Sequence, residues 1–238
     1  MKRKRPDRRY ITPSRMRPIR PARAERLVFV DIEMAVVRRH RPILQIAAIA
    51  VSRSLQELES FEAKVLVDER KTPTGLIRNR HFDADQWRRE GQHPKAVAVE
   101  FGRFLGRHAT ADVTATNLRP FWVAQLVAHQ AEFDGMSLRE WFERLGLFLP
   151  ASYRVFCTLH RAMWLFHEDP SLARPTDFKL GTLCEYFAIP FPAEKAHDAM
   201  TDVRATVELY RRMTMLAAAR TSQVSGLHAG EDMTNGCG

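Results

Sequence analysis

The sequence has few cysteines and no long apolar run. Cys157, Cys184 and Cys237 are an odd number and lack C-x-x-C spacing, so they predict neither a disulfide framework nor a zinc site. No apolar segment approaches the roughly 20 residues that span a bilayer, and the first residues lack the apolar stretch of a secretory signal. No internal repeat is visible. We therefore expect a soluble, cytoplasmic protein that has no membrane partner.

The positive charge of the chain is concentrated in residues 1–26. This segment holds eleven Lys or Arg against Asp7 and Glu25, whereas the rest of the chain holds 26 basic and 26 acidic residues. Because it is interrupted by prolines and lacks apolar periodicity, we predict a disordered basic arm that neutralises nucleic-acid phosphates. A solvated tail and a localisation signal are alternatives. A transit peptide is disfavoured, since the prolines and acids would break an amphipathic helix.

The remainder of the chain alternates between strand and helix patterns. The predicted strands cover residues 27–32, 43–51, 61–67, 121–128 and 153–157. Helices are predicted at residues 95–108, 138–145, around 163–166, at 180–187 after a cap at Thr176, and from residue 199 onward. Between these elements, residues 68–94 look irregular, with Trp87 partly buried or available to stack on a base. We place one α/β domain at residues 27–217 and a flexible tail at residues 218–238.

The first strand ends in two acids, Asp31 and Glu33. Alternate residues of a strand share a face, so both side chains should project the same way, with α-carbons about 6.6 Å apart. Two carboxylates so placed can bind one hard divalent cation. A pair of this kind also occurs by chance on the solvated face of a strand, and both interpretations remain open for the pair alone.

Further ionisable residues follow later in the chain. Asp134 comes after the fourth predicted strand, and His197 and Asp202 lie at the start of the last helix. Asp202 borders the apolar stripe of that helix, so it should face inward. Asp198 is expected to cap the helix rather than to bind metal.

Three segments that contain these residues, VDIE, LVAHQAEFD and HDAMTDVRATVEL, resemble the motifs of DEDD-superfamily exonucleases. The third motif and the preceding KLGTLCEYFAIPF are similar to the H-x-A-x-x-D branch, the proofreading-exonuclease-like family. The similarity runs from about Leu27 to Met215. It implies a ribonuclease-H-like fold, a mixed five-stranded sheet flanked by helices. It also implies a 3′–5′ exonuclease that releases nucleoside 5′-monophosphates from single-stranded DNA or RNA with two Mg²⁺ or Mn²⁺ ions.

The resemblance also implies a role for each residue of the motifs. Asp31 would bridge both ions, Glu33 and Asp202 would bind the ion on the nucleophile side, and Asp134 would support the second. Four gathered carboxylates repel one another, and divalent cations would compensate their charge. His197 would be the general base, since an imidazole with an ordinary pKa near 6.5 accepts a proton at neutral pH.

Residues around the first two motifs are the predicted nucleic-acid contacts. They are Met34, Arg38, Arg39, Arg41, His129, Gln130 and Phe133. The loop that carries the arginines could equally be an ordinary exposed loop. Two positions depart from the family pattern. Residues 34–37 replace the usual hydroxyl residues and glycine, which leaves backbone amides and Met34 for contacts to the terminal nucleotide, and Gln130 replaces an asparagine.

The motifs leave the substrate and the partners open. The first alternative is an exoribonuclease that trims RNA 3′ ends, because DNA and RNA enzymes use the same site. The second is a weakly active nucleic-acid-binding subunit of a DNA polymerase. Gln45, where many relatives carry an acid, is consistent with some single-strand-specific members. A homodimer is also possible, since some relatives dimerise.

Overall fold

The computed structural model describes residues 25–35, 41–68, 70, 72, 77, 82–114, 120–192, 194 and 196–231. Nearly all of the predicted basic arm lies outside these residues, as do Arg38 and Arg39. The strands are β1 (Arg26–Met34), β2 (Ile43–Ser52), β3 (Glu57–Lys64), β4 (Ala111–Thr114), β5 (Pro120–Val123), β6 (Leu126–Ala128) and β7 (Phe156–Cys157). The helices are α1 (Ala84–Glu90), α2 (Pro94–Arg107), α3 (Ala131–Arg144), α4 (Thr158–Glu168), α5 (Leu180–Tyr186) and α6 (Ala199–Glu231).

Five strands form one mixed sheet in the order β3-β2-β1-β6-β7. Strands β1, β2 and β3 are an antiparallel meander, while β6 and β7 run parallel to β1. The predicted mixed five-stranded α/β sheet is therefore confirmed. Because β1, β6 and β7 are parallel, their carboxyl ends meet at one edge of the sheet, and this is the edge at which β1 presents its acids.

Apolar side chains cover both faces of the sheet. On one face, alternate residues of β1 pack with α2 and α3, including Val28, Val30, Phe101 and Phe142. On the other face, Phe29 packs against α6 through Ala199, Val203 and Val207. Strand side chains alternate between faces, so Asp31 and Glu33 project on the side of Phe29, toward α6.

The fourth predicted strand is wrong in extent. Residues 121–128 are divided between β5 and β6, with Ala124 in an isolated bridge to Ala151. Only β6 joins the five-stranded sheet, because β5 pairs with β4 in a separate two-stranded sheet. A continuous apolar run does not show where a buried strand leaves one sheet for another.

Further elements also differ from the sequence prediction: β3 starts before residue 61, α3 starts before residue 138, and β7 has only two residues. The segment predicted to be irregular contains α1, which Asp83 caps by accepting a hydrogen bond of 2.6 Å from the Gln86 backbone N–H. Thr176 does not cap α5, which begins at Leu180. Helix α6 continues to Glu231, past the start of the predicted tail at residue 218, and residues 211–223 contain neither Gly nor Pro. The flexibility of the tail stays a prediction.

Trp87 is fully part of the core. Its side chain is buried and its indole N–H donates a hydrogen bond of 3.0 Å to the Leu44 carbonyl. The adjacent Arg88 and Arg89 are exposed. Trp87 therefore does not offer a free surface on which a base could stack.

In the part of the chain that the structure describes, no helix combines the length and apolar character needed to cross a membrane.

Candidate active site

Strand β1 delivers Asp31 and Glu33 to the α6 side of the sheet, close to its carboxyl edge. In the pairing with β2, Asp31 lies opposite Ala47 and Glu33 lies opposite Gln45, and the register shifts between Glu33 and Met34. Ala47 is fully buried and belongs to the apolar cluster between the sheet and α6. The predicted shared projection of the two acids is thus confirmed.

Two helix starts bring the other acids to the same place. Asp134 lies in the first turn of α3, and Asp202 lies in the first turn of α6. Both side chains are buried, as the inward-facing prediction for Asp202 required. The first turn of a helix has unpaired N–H groups and a positive end of the helix dipole, which favours carboxylates and phosphates there.

The gathered acids oppose one another's ionisation. Loss of water contact raises the pKa of Asp31 well above its usual value, and Asp134, Asp202, Glu33 and Asp198 add to the rise through their negative charge. Burial raises the pKa of Asp134 to about 8, although backbone hydrogen bonds at Ile32 and at Asp134 itself lower it. A cluster with this electrostatic cost is typical of a functional site.

His197 stands at the mouth of this cluster. Its Nδ1 is 3.9 Å from Glu33 Oε1, and its side chain is 67% exposed, so the ring can meet a substrate. The backbone at His197 is left-handed, with φ of 71°, and its N–H donates a hydrogen bond of 3.3 Å to Asp202 Oδ2. This bond ties the strained turn to the helix that follows it.

The chemistry of these side chains fits a divalent cation. One ligand atom from each of Glu33, His197 and Asp202 lies within 4.8 Å of the other two. Asp31 and Asp134 add carboxylates, and the charge of Asp134 helps to raise the pKa of Asp31. Carboxylate oxygens are the ligands that Mg²⁺ and Mn²⁺ prefer, and cations would remove the repulsion among them.

Asp198 caps helix α6, as its position in the sequence predicted. Its Oδ1 accepts hydrogen bonds from the Thr201 backbone N–H, at 3.0 Å, and from the Thr201 hydroxyl, at 2.8 Å. It is therefore the N-cap of α6.

Among the predicted nucleic-acid contacts, three residues surround the start of α3. Phe133 is 38% exposed, and the guanidinium of Arg41 lies over its ring, 5.8 Å from the centroid. Gln130 is exposed and left-handed, with φ of 61°. Met34 is half-buried and packs against the apolar cluster on the α2 and α3 face of the sheet, opposite the face toward which the β1 acids project.

The prediction that His129 contacts nucleic acid is contradicted by its surroundings. The ring is buried, with Nδ1 bonded to the Thr158 hydroxyl at 2.9 Å and Nε2 to the Phe178 carbonyl at 3.0 Å. Burial also lowers the pKa of His129. Sequence reasoning missed Thr158, since a contact across 29 residues leaves no local signal.

The expected backbone contacts after Glu33 are also reduced. The Ala35 N–H donates a hydrogen bond of 3.0 Å to the Pro42 carbonyl, and Ala35 is buried. This amide is therefore engaged in the protein and does not face a terminal nucleotide.

The comparison with protein families agrees with this arrangement. The family described as exonuclease, RNase T, matches residues 28–210, which include every acid of the cluster and His197. The chain belongs to the exonuclease family. This confirms the resemblance to the DEDD superfamily, whose exonucleases use divalent metal ions. The assignment to the H-x-A-x-x-D branch stays a prediction. No curated protein sequence matches this exonuclease domain significantly.

Solved structures of exonuclease I share the fold of this exonuclease domain. The Escherichia coli enzyme with a dT13 oligonucleotide is 18% identical, with a TM-score of 0.62 over 85% of this chain and 43% of the other. A product-bound exonuclease I is 17% identical, with a TM-score of 0.61 over 81% and 44%. The zinc-bound form of the Escherichia coli enzyme with single-stranded DNA is 18% identical, with a TM-score of 0.59 over 81% and 41%. The chain thus spans less than half of these proteins, and the ribonuclease-H-like fold is confirmed.

Proposed function

We propose that this domain is a 3′–5′ exonuclease that releases nucleoside 5′-monophosphates from single-stranded DNA. The observation that carries the proposal is the gathering of Asp31, Glu33, Asp134 and Asp202 at one edge of the sheet, with His197 beside them. Such a set is costly to the fold without compensating charge, so we infer that it is kept for its chemistry.

Asp31, Glu33, Asp134 and Asp202 would hold two Mg²⁺ or Mn²⁺ ions. When bound, such ions would compensate the charge of the acids and would help to orient the attacking water and the leaving 3′ oxygen. His197 has the exposure needed to accept the proton of that water, and its distance from Glu33 places it at the edge of the cluster.

The surface around α3 supports a single strand as the substrate. An exposed aromatic ring such as Phe133 can stack on any base, and the neighbouring Arg41 can contact a phosphate. The N-termini of α3 and α6 also favour phosphate near the acids. The oligonucleotide complexes of exonuclease I, which has the same fold, agree with this choice.

A labelled-substrate panel tests the proposal. With Mg²⁺ or Mn²⁺, we expect a 5′-labelled single strand of DNA to shorten in a ladder, more rapidly than duplex DNA or RNA. Asp31→Ala should reduce the rate to background. Asp85→Ala is the matched control, because Asp85 is an exposed acid of α1 that pairs with Arg88. The proposal fails if DNA and RNA both stay intact with either ion, or if Asp31→Ala cleaves normally.

The same panel separates the second candidate, a weakly active nucleic-acid-binding subunit. The replaced hydroxyl residues after Glu33 and the engaged amide of Ala35 favour that candidate. A weakly active subunit should bind the labelled strand but shorten it little. Faster cleavage of RNA than of DNA would instead indicate an exoribonuclease.

A further inference from the structure

Gln45 is a buried polar residue in an otherwise apolar stretch of β2. Its neighbours from Ile43 to Val51 form the centre of the sheet, yet Gln45 is as fully buried as they are, with 3% of its surface exposed. It lies directly opposite Glu33 in the pairing of β1 with β2. A buried amide needs hydrogen-bond partners, so its contacts show what it holds together.

The carboxamide of Gln45 joins three elements. Its Nε2 donates a hydrogen bond of 2.9 Å to Glu62 Oε1 on β3, and one of 3.4 Å to Asp198 Oδ2. Its Oε1 accepts a bond of 3.5 Å from the Ala199 N–H, the first of α6. Both donors thus face carboxylates, and the acceptor faces the start of the helix.

The contacts to α6 lie next to the active-site residues of that helix. Asp198 is the cap of α6 and directly follows His197 in the chain, and Asp202 is one helical turn further on. His197 is itself held to Asp202 by its backbone N–H. A shift of the helix start would therefore move His197 and Asp202 together, relative to the acids on β1.

We propose that Gln45 is a positioning residue that fixes His197 and Asp202 against Asp31 and Glu33. This inference rests on the proposed function. In this chain the role requires an amide, because both partners of Nε2 are carboxylates. A glutamate at position 45 would lose both donors and set a further carboxylate against Glu62 and Asp198, whatever the partners are in relatives that carry an acid there. The carboxylate introduced at position 45 would repel Asp198 at the start of α6 instead of donating a hydrogen bond to it.

Gln45→Glu tests the proposal against a matched control. Gln125 also donates its amide to two oxygens, the Leu126 carbonyl at 3.1 Å and the Arg154 carbonyl at 2.6 Å, but near the opposite end of β1. We expect Gln45→Glu to lower kcat about 100-fold with little change in KM, because small misplacements of catalytic groups are costly. Calorimetric Mn²⁺ affinity should fall about tenfold, as it does when groups that orient metal ligands are removed. Gln125→Glu should leave both values unchanged.

Two further variants separate positioning from loss of the fold. The change Asp198→Asn keeps the helix cap and supplies an amide that can donate to the carboxylate introduced at position 45. The double variant Gln45→Glu/Asp198→Asn should therefore recover at least part of kcat and of Mn²⁺ affinity. Gln45→Met removes the hydrogen bonds without adding charge and should lower both values while thermal melting stays cooperative.

Several outcomes overturn the positioning role. One is that Gln45→Met keeps the kcat and the Mn²⁺ affinity of the wild-type protein. The others are that Gln125→Glu loses as much kcat and Mn²⁺ affinity as Gln45→Glu, or that the double variant recovers neither value. If the wild-type protein cleaves no nucleic acid, the proposed function falls, and the Mn²⁺ affinities of Gln45→Met and Gln125→Glu still decide whether Gln45 orients the acids.

Discussion

Asp31 and Asp134 are carboxyl groups whose surroundings favour the protonated form. An acid whose pKa is raised in the folded state binds more protons folded than unfolded between its two pKa values. For Asp134 this interval runs from about 4 to about 8. The folded protein without metal therefore loses stability as the pH rises through this interval.

This sign gives a prediction for thermal unfolding. Without metal, the melting temperature should fall between pH 5.5 and pH 8, by about 2–4 °C for each kcal/mol lost in a domain of this size. Saturating Mn²⁺ should raise it more at pH 8 than at pH 5.5, because the ligands must be ionised to bind. Differential scanning calorimetry at the two pH values measures both effects.

Asp134→Asn provides the control for that measurement. It removes one buried charge, so it should raise the metal-free melting temperature at pH 8 and shrink the increment from Mn²⁺. A metal-free melting temperature at pH 8 unchanged by Asp134→Asn would contradict this account of the buried acid.

Two exposed aromatic side chains differ in their relation to the acid cluster. Phe133 lies in the first turn of α3 and directly precedes Asp134, whereas Phe148 follows the end of that helix and packs against Phe121, with ring centroids 6.0 Å apart. Both side chains are exposed. Phe148 is therefore a control for the predicted contact of Phe133 with a base.

We expect Phe133→Ala to raise KM for a single-stranded substrate about tenfold or more, since stacking of one base contributes about 1–3 kcal/mol. Phe148→Ala should leave KM unchanged. Steady-state kinetics on one oligonucleotide compares the two variants, and equal KM values would remove Phe133 from the proposed substrate path.

A comparison of the secondary-structure elements with the sequence shows which features could be predicted from the sequence alone. The β1 acids and the cap at Asp198 were predictable, because strand alternation and helix capping are local rules. The division of residues 121–128 between two sheets was not, since pairing partners are distant in the chain. His129 illustrates the same limit at a single position: its motif suggested substrate contact, but Thr158 and Phe178 enclose its ring.

At the scale of the whole molecule, the chain enters β1 from the predicted basic arm at the end of the strand that is remote from the acid cluster. The arm joins β1 at its first residue, Arg26, and Asp31 lies about 17 Å further along the strand. We therefore predict that the phosphates contacted by the arm differ from the one next to the acids. Its contribution should be to affinity rather than to the chemical step.

Deletion of residues 2–24 tests that division. We expect weaker binding of single strands and a flatter salt dependence, with the slope reduced by about 0.7 for each phosphate that the arm no longer neutralises. The value of kcat at saturating substrate should stay the same. Fluorescence anisotropy at several salt concentrations gives the slope, and an unchanged slope would show that the arm does not contact nucleic acid.

The order of the elements along the chain also bears on how such a protein is made. The acid pair of β1 is synthesised early, whereas His197 and Asp202 arrive with α6, close to the end of the domain. Chains fold from the N-terminus as they leave the ribosome, so a nascent chain without α6 has only part of the site. We therefore expect a nascent chain of this architecture to lack nuclease activity until α6 has been synthesised and has folded.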